Sequence, residues 1–198
     1  MKMVRFALWI VVALVLVGVG SRFFLQNDGP ALTSGPGGNF TLTSHTGEVV
    51  SNTDFDNQYM LIYFGYSFCP DVCPLDLQKM SVALYQLEEE GYDTTPIQPI
   101  FITIDPERDT VEELASFMPD FHPRLIGLTG TPAEIADVAR KYKVYYAKRE
   151  QPGTDSYLMD HQAYQFVMGP GGEFLRIFSS RDKPQDIAAA FGSILEKR

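Results

Sequence analysis

The chain has 198 residues, of which 45% are apolar, 21% charged and 13% aromatic. That balance excludes a disordered chain, a collagen and a coiled coil, and two cysteines exclude a disulfide-dense scaffold. A net charge of −9 leaves no basic surface for sequence-independent nucleic-acid binding, and the length fits one domain of roughly 150–170 residues plus a tail.

Residues 1–25 read as a membrane anchor. Lys2 and Arg5 precede an unbroken apolar run from Phe6 to Gly20, and Phe23, Phe24 and Leu25 follow Arg22. Counted to Leu25, the run gives about 30 Å of helix, enough for a bilayer core. The rival is a cleaved signal peptide, for which Gly18-Val19-Gly20 offers a weak site. The charge of Lys2 and Arg5 against Arg22 keeps the N-terminus inside and exports the rest. A bacterial inner membrane, single-pass, with the soluble domain on the periplasmic side, is the simplest address. Residues 26–39 hold four Gly and two Pro and form a flexible tether to a domain over 40–198.

Within the domain, Phe40–Thr43 and Glu48–Val50 form a hairpin, and Met60–Gly65 is an apolar strand buried on both faces. A helix over Leu75–Glu90 places Leu77, Met80, Leu84 and Leu87 on one face. Ile97–Ile104 is a second buried strand, Thr110–Met118 a helix and Arg124–Leu128 a third strand. Thr131-Pro132-Ala133-Glu134 is a capping box that opens a helix to about Tyr142. Val144–Lys148 extends the sheet. Gln162–Met168 and Phe174–Phe178 form a closing hairpin, and Lys183–Leu195 is the last helix. This order predicts an α/β fold: a thioredoxin-like central mixed sheet flanked by helices, with an N-terminal hairpin and one N-terminal anchor helix.

Cys69-Pro70-Asp71-Val72-Cys73-Pro74 falls between the first buried strand and the first long helix, at a strand's carboxyl end. Each cysteine precedes a proline, which keeps the pair off one continuous helix. Pro74 fits the first helical position, making Cys73 the N-cap, where the helix dipole lowers a thiol pKa. Three roles compete: a soft-metal site for Cu(I) or Zn, a redox pair, and a structural disulfide. A metal needs a further ligand. His45 in a hairpin turn and His122 before Pro123 read as solvated. His161 precedes the closing hairpin and faces the cysteine loop in a thioredoxin-like fold, as a ligand or as a hydrogen-bonded loop histidine.

Gly65-Tyr66-Ser67-Phe68-Cys69-Pro70-Asp71-Val72-Cys73-Pro74, Ile104-Asp105-Pro106-Glu107-Arg108-Asp109-Thr110, Ile126-Gly127-Leu128-Thr129-Gly130 and Asp160-His161 together resemble the Sco (SenC/PrrC) family of copper-binding cytochrome oxidase assembly factors. The likeness covers about residues 37–195. It implies copper held by Cys69, Cys73 and His161, as Cu(I) and also Cu(II), with Cys69 and Cys73 doubling as a redox disulfide. It implies a metallochaperone, not an enzyme, that delivers copper to the dinuclear centre of a cytochrome c oxidase subunit. The implied partners are that subunit, a copper donor, a thiol reductant and the membrane. The alternative is a thiol–disulfide oxidoreductase that reduces the acceptor cysteines before loading; a thiol peroxidase lacks a clear resolving arrangement. Ser67 stands where Thr is commoner, and Gln162 where a small hydroxyl residue is common.

Asp105 reads either as a turn residue or as a support for the metal loop. Arg108 reads as half of an ion pair, and Asp109 as a cap for the helix at Thr110. The basic set Arg140, Lys141, Lys143, Lys148 and Arg149 reads as a solvated helix end with favourable dipole charges, the alternative being a contact with anionic lipid near the tether or with an acidic partner; Glu88-Glu89-Glu90 reads as a solvated face.

Overall fold

In the computed structural model of the chain, residues 35–153, 156–195 and 197 are described. The anchor and most of the tether expected from the sequence lie outside them, and no helix among the described residues is long and apolar enough to cross a membrane.

The described residues form nine strands and four α-helices. The strands are β1 (Thr41–Ser44), β2 (Val49–Ser51), β3 (Tyr59–Gly65), β4 (Ile97–Thr103), β5 (Ile126–Thr129), β6 (Tyr146–Glu150), β7 (Tyr157–His161), β8 (Tyr164–Met168) and β9 (Phe174–Ser179). The helices are α1 (Val72–Glu89), α2 (Val111–Phe117), α3 (Pro132–Lys141) and α4 (Pro184–Gly192). The main sheet has the order β2-β1-β5-β4-β3-β8-β9. Its centre is parallel, with Ile62 opposite Ile100 and Ile100 opposite Ile126. The flanks are antiparallel: β8 runs against β3, β9 against β8, and β1 against both β5 and β2. This is the thioredoxin-like mixed sheet that the strand–helix alternation predicts.

The core follows from the apolar strands. Leu61, Ile62, Tyr63 and Phe64 of β3 are fully buried, as are Ile100, Phe101 and Ile102 of β4. Each such side chain contributes roughly 1.5–3 kcal/mol when taken from water. From α1, Leu77, Met80, Leu84 and Leu87 enter the same core, on the face expected from their spacing. The Thr131–Glu134 capping box is present, with both reciprocal hydrogen bonds.

Three expectations are corrected. The segment after α3 does not extend the main sheet. It forms β6, which pairs only with β7 in a separate ribbon, Tyr146 opposite His161. Lys148, Arg149 and Glu150 end that strand exposed, and a central strand would have had to bury their charges. The first long helix begins at Val72, with Asp71 as its N-cap residue, so Cys73 lies inside the first turn. Pro74 is tolerated there because the first N–H groups of a helix have no intrahelical acceptor. His122 is not solvated but 3% exposed, against the Tyr85 ring.

His122 also engages Glu88, whose Oε1 lies 3.4 Å from Nε2, while Nδ1 accepts from the Arg124 N–H at 3.2 Å. Glu88 is thus a tertiary contact and not only a solvated face. Burial pushes the His122 pKa down, and Glu88 opposes this only in part. A histidine held neutral in the folded state stabilises fully above its unfolded pKa near 6.5 and loses that contribution as pH falls through it. His122→Asn, which keeps an acceptor for the Arg124 N–H, is therefore expected to flatten the stability loss between about pH 7 and 5. Urea titrations at stepped pH check this.

Candidate metal centre

The carboxyl ends of β3, β4 and β5 meet at one edge of the sheet. From β3 the chain enters the loop Tyr66–Asp71, which carries Cys69, and then α1, which carries Cys73. Both thiols are free; Cys73 is fully buried and Cys69 is 9% exposed. A Cβ on Gly65 would lie 3.1 Å from Cys73 Sγ and 2.7 Å from the Tyr63 ring. Only glycine lets the end of β3 pass so close beneath the sulfur.

The Cys73 backbone N–H donates to Cys69 Sγ at 3.4 Å. The loop thus folds the first sulfur back over the start of α1, and Cys69, not Cys73, occupies the anion-favouring end of the helix. The expectation that the Cys73 pKa falls is overturned. The Cys73 thiol donates to Cys69, which, with His161 and the backbone N–H groups of Asp71 and Cys73, holds Cys69 down at about 3. That same hydrogen bond, with burial, pushes Cys73 up. The shared hydrogen bond favours a thiolate on Cys69 over one on Cys73.

His161, at the end of β7, comes in from the other side. Its Nε2 lies 3.4 Å from Cys73 Sγ although 88 positions separate the two residues. Its Nδ1 lies 3.2 Å from the Gln162 carbonyl oxygen. A carbonyl only accepts, so Nδ1 carries a hydrogen directed at it, and Nε2 is the ring atom turned toward the sulfurs. Tyr63 and Tyr66 flank the imidazole edge-on, with ring centroids at 6.2 and 6.1 Å. Burial, then the neighbouring Cys73, Asp76 and Cys69, push the Tyr63 hydroxyl up and keep it neutral.

Two thiol sulfurs and one imidazole nitrogen suit a soft ion. A sulfur and a nitrogen bound about 120° apart on a common ion would lie roughly 3.7 Å from each other, close to the 3.4 Å between Cys73 and His161. Among the described residues, no three His, Cys, Asp or Glu side chains stand at metal-holding spacing; Cys69 is nonetheless in hydrogen-bond reach of both Cys73 and His161. His45 and His122 are engaged elsewhere, His45 through the Gly127 N–H at 3.2 Å and His122 as above.

Asp109, expected to cap a helix, instead lies fully buried behind the loop, and Thr110 caps α2. The Asp109 carboxylate accepts from the Ser67 hydroxyl at 2.6 Å, the Ser67 N–H at 3.0 Å and the Thr103 hydroxyl at 2.6 Å. The Thr129 hydroxyl donates to its carbonyl at 2.6 Å. The Cys69 loop is thereby tied to the ends of β4 and β5. Burial raises the Asp109 pKa, and the bonds from Ser67 and Thr103 oppose it. Sequence reading missed Asp109, Tyr63 and Tyr66 as parts of the site. The one available signal was a hydroxyl residue at three neighbouring places on the sheet edge: Ser67, Thr103 and Thr129.

The SCO1/SenC family model matches residues 29–196. The chain belongs to the SCO1/SenC family. It is similar to the mitochondrial SCO1 homolog of Homo sapiens, at 43% identity over 79% of this chain and 52% of that protein. This chain spans about half to two thirds of the length of the curated relatives it matches. A solved structure of Bradyrhizobium japonicum ScoI with copper bound superposes at TM-score 0.73, with 37% identity over 80% of this chain and 98% of that one. BsSco, a member of the Sco family of cytochrome c oxidase assembly proteins in which a disulfide switch was identified, superposes at TM-score 0.62. It shares 25% identity over 80% of this chain and 92% of its own.

Two outcomes follow for this edge. Iodoacetamide at about pH 5 should alkylate Cys69 and spare Cys73, because only a thiol with a lowered pKa is a thiolate there; peptide mass spectrometry reads the site. Asp109→Ala should cost about 2–4 kcal/mol, since it leaves the Ser67 N–H and two hydroxyls without their charged acceptor; denaturant unfolding measures it.

Proposed function

We propose that the protein is a copper metallochaperone whose Cys69, Cys73 and His161 hold copper and pass it to the dinuclear copper centre of a cytochrome c oxidase subunit. The observation that carries this reading is the 3.4 Å approach of His161 Nε2 to Cys73 Sγ. A thiol–disulfide couple needs only its two sulfurs, whereas a soft-metal site needs a further ligand, which Nε2 at this distance can supply. The copper-bound ScoI relative supports copper as the ion, and BsSco supports the setting in oxidase assembly.

In this reading Cu(I) takes two thiolates and one nitrogen, a trigonal set with net charge −1 that the start of α1 tolerates. Cys69 supplies the ready thiolate, and Cys73 releases its proton as the ion arrives. Three ligands leave an open coordination position, through which thiolates of the acceptor enter and displace the chain's own ligands one at a time. Cu(II), which prefers nitrogen and higher coordination, depends more on His161. The apolar run near the N-terminus holds the domain on the periplasmic side of a bacterial inner membrane, beside an oxidase subunit of the same membrane.

A second reading rests on the low Cys69 pKa, about 3: a thiol–disulfide oxidoreductase that reduces the acceptor's cysteines before loading. A stable thiolate is a good leaving group and a ready partner in exchange.

His161→Ala separates the two. Under the chaperone reading, Cu(II) affinity should drop by more than the roughly 10–100-fold that losing a partner behind a ligand costs, because His161 is itself a ligand. Cu(I) affinity should drop less, and the dithiol reduction potential should stay near its original value. Cys69→Ser and Cys73→Ser should each remove tight copper binding. Copper titration in both oxidation states, with a disulfide-reductase assay on the same protein, reads all of this. Unchanged copper binding with a collapsed reductase rate would promote the second reading.

A further inference from the structure

β6 and β7 belong to no strand pair of the main sheet. A two-stranded ribbon is marginally stable by itself in water, yet the last residue of this one is His161. The rise along a strand puts Tyr157, the first residue of β7, about 13 Å from His161. A tilt of about 10° around Tyr157 would carry His161 some 2 Å away from Cys73. The alignment of the imidazole therefore depends on what holds Tyr157.

Arg108 holds it. Its guanidinium carbon lies 3.7 Å from the Tyr157 ring centroid, and Nη1 donates to the Tyr157 carbonyl at 3.1 Å. Nε donates to Asp105 Oδ2 at 2.5 Å, and the Tyr157 hydroxyl donates to Asp105 Oδ1 at 2.9 Å. The same guanidinium lies 4.9 Å from the Phe68 ring centroid and 5.6 Å from that of Tyr66. Phe68 is the residue before Cys69. One cation thus touches the loop bearing the first cysteine and the strand bearing the histidine. Lys148 adds an outer contact, 3.8 Å from the Tyr157 ring centroid and 3.2 Å from Glu107. Near the other end of β7, the backbone of Met159 reaches the Tyr66 hydroxyl.

We infer that Arg108 is a positioning residue that clamps Tyr157 to the Cys69 loop and so keeps His161 opposed to Cys73. The inference deepens the copper reading and rests on it for its metal readout, but not for its structural one. Asp105 orients the guanidinium through a tight turn, in which the N–H groups of Arg108 and Asp109 both donate to the Asp105 carbonyl. Lysine cannot replace the arginine: a point charge cannot stack on Tyr157 while forking to its carbonyl and to Asp105.

The test uses the full chain in detergent with Arg108→Ala, Arg108→Lys, Tyr157→Phe, His161→Ala and the Arg108→Ala/His161→Ala double variant. Without metal, hydrogen exchange of the Tyr157–His161 amides should accelerate in both Arg108 variants, with β3 and β4 unchanged. With metal, Arg108→Ala and Arg108→Lys should lose Cu(II) affinity about tenfold or more and Cu(I) affinity less. The Cu(II) absorption should move toward that of His161→Ala. The double variant should bind Cu(II) no more weakly than His161→Ala, because both changes remove the same ligand. Unchanged exchange in β7, equal losses for the two oxidation states, or additive losses in the double variant would overturn the inference. If Arg108→Ala fails to fold, Tyr157→Phe, which removes only the hydroxyl, gives the same comparison in milder form. If His161→Ala binds both ions like the unaltered protein, the copper reading fails, while the exchange result still decides whether the clamp exists.

Discussion

The buried carboxylate of Asp109 is the contact around which the functional edge is organised. A carboxylate taken fully out of water is tolerated only when its oxygens are met by strong donors. Here the donors come from Ser67 in the cysteine loop and Thr103 at the end of β4, and Thr129 at the end of β5 joins through the main-chain carbonyl. Three segments remote in sequence are thus drawn to one point. The loop that carries Cys69 cannot lift from the sheet without leaving a buried charge unpaired. That constraint allows a short loop to hold a sulfur above the start of a helix.

The asymmetry of the two thiols follows from this placement. Cys69 Sγ receives the Cys73 N–H at the start of α1, whereas Cys73 is packed against Gly65 and the Tyr63 ring with no solvent access. One sulfur is set up as an anion and the other as its proton donor. A rigid apo site with two adjacent thiolates would suffer their mutual repulsion. A site sharing one proton avoids that cost until a cation arrives to neutralise both.

The site is built from parts of unequal firmness. Cys69 stands on the loop that Asp109 ties to the sheet edge, and Cys73 on α1, whose apolar face enters the core. The histidine stands on a ribbon that joins the rest through side chains, chiefly the Arg108 group and Tyr66. A side chain on the looser part can approach and withdraw with little disturbance to the core, which is what the proposed uptake and release of copper would require. Of the basic residues at the end of α3 and beyond, Lys148 also bears on this ribbon, through its contact with the Tyr157 ring. Lys141 is paired with Asp137, Lys148 with Glu107 and Arg149 with Asp160, as a solvated charged face would be.

Much of the fold was legible in the chain. The doubly buried strands announce themselves by unbroken apolar runs, α1 by its three- and four-residue steps and α3 by its capping box, because these are local consequences of backbone geometry and burial. The cysteine pair and His161 were legible too, through residue type and through a family resemblance. Which sulfur is the anion was not. That depends on whether the helix begins at Val72 or after Cys73, a shift of one or two residues that propensity does not resolve. His122 and Asp109 escaped for a different reason. A polar residue in a loop looks solvated until the elements packed over it are known, and those elements, Glu88 and Tyr85 for one, Ser67, Thr103 and Thr129 for the other, come from elsewhere in the sequence. The strand Tyr146–Glu150 shows the same limit: its sequence made it extended, but only the burial cost of its charges in three dimensions decided that it would leave the main sheet and pair with β7.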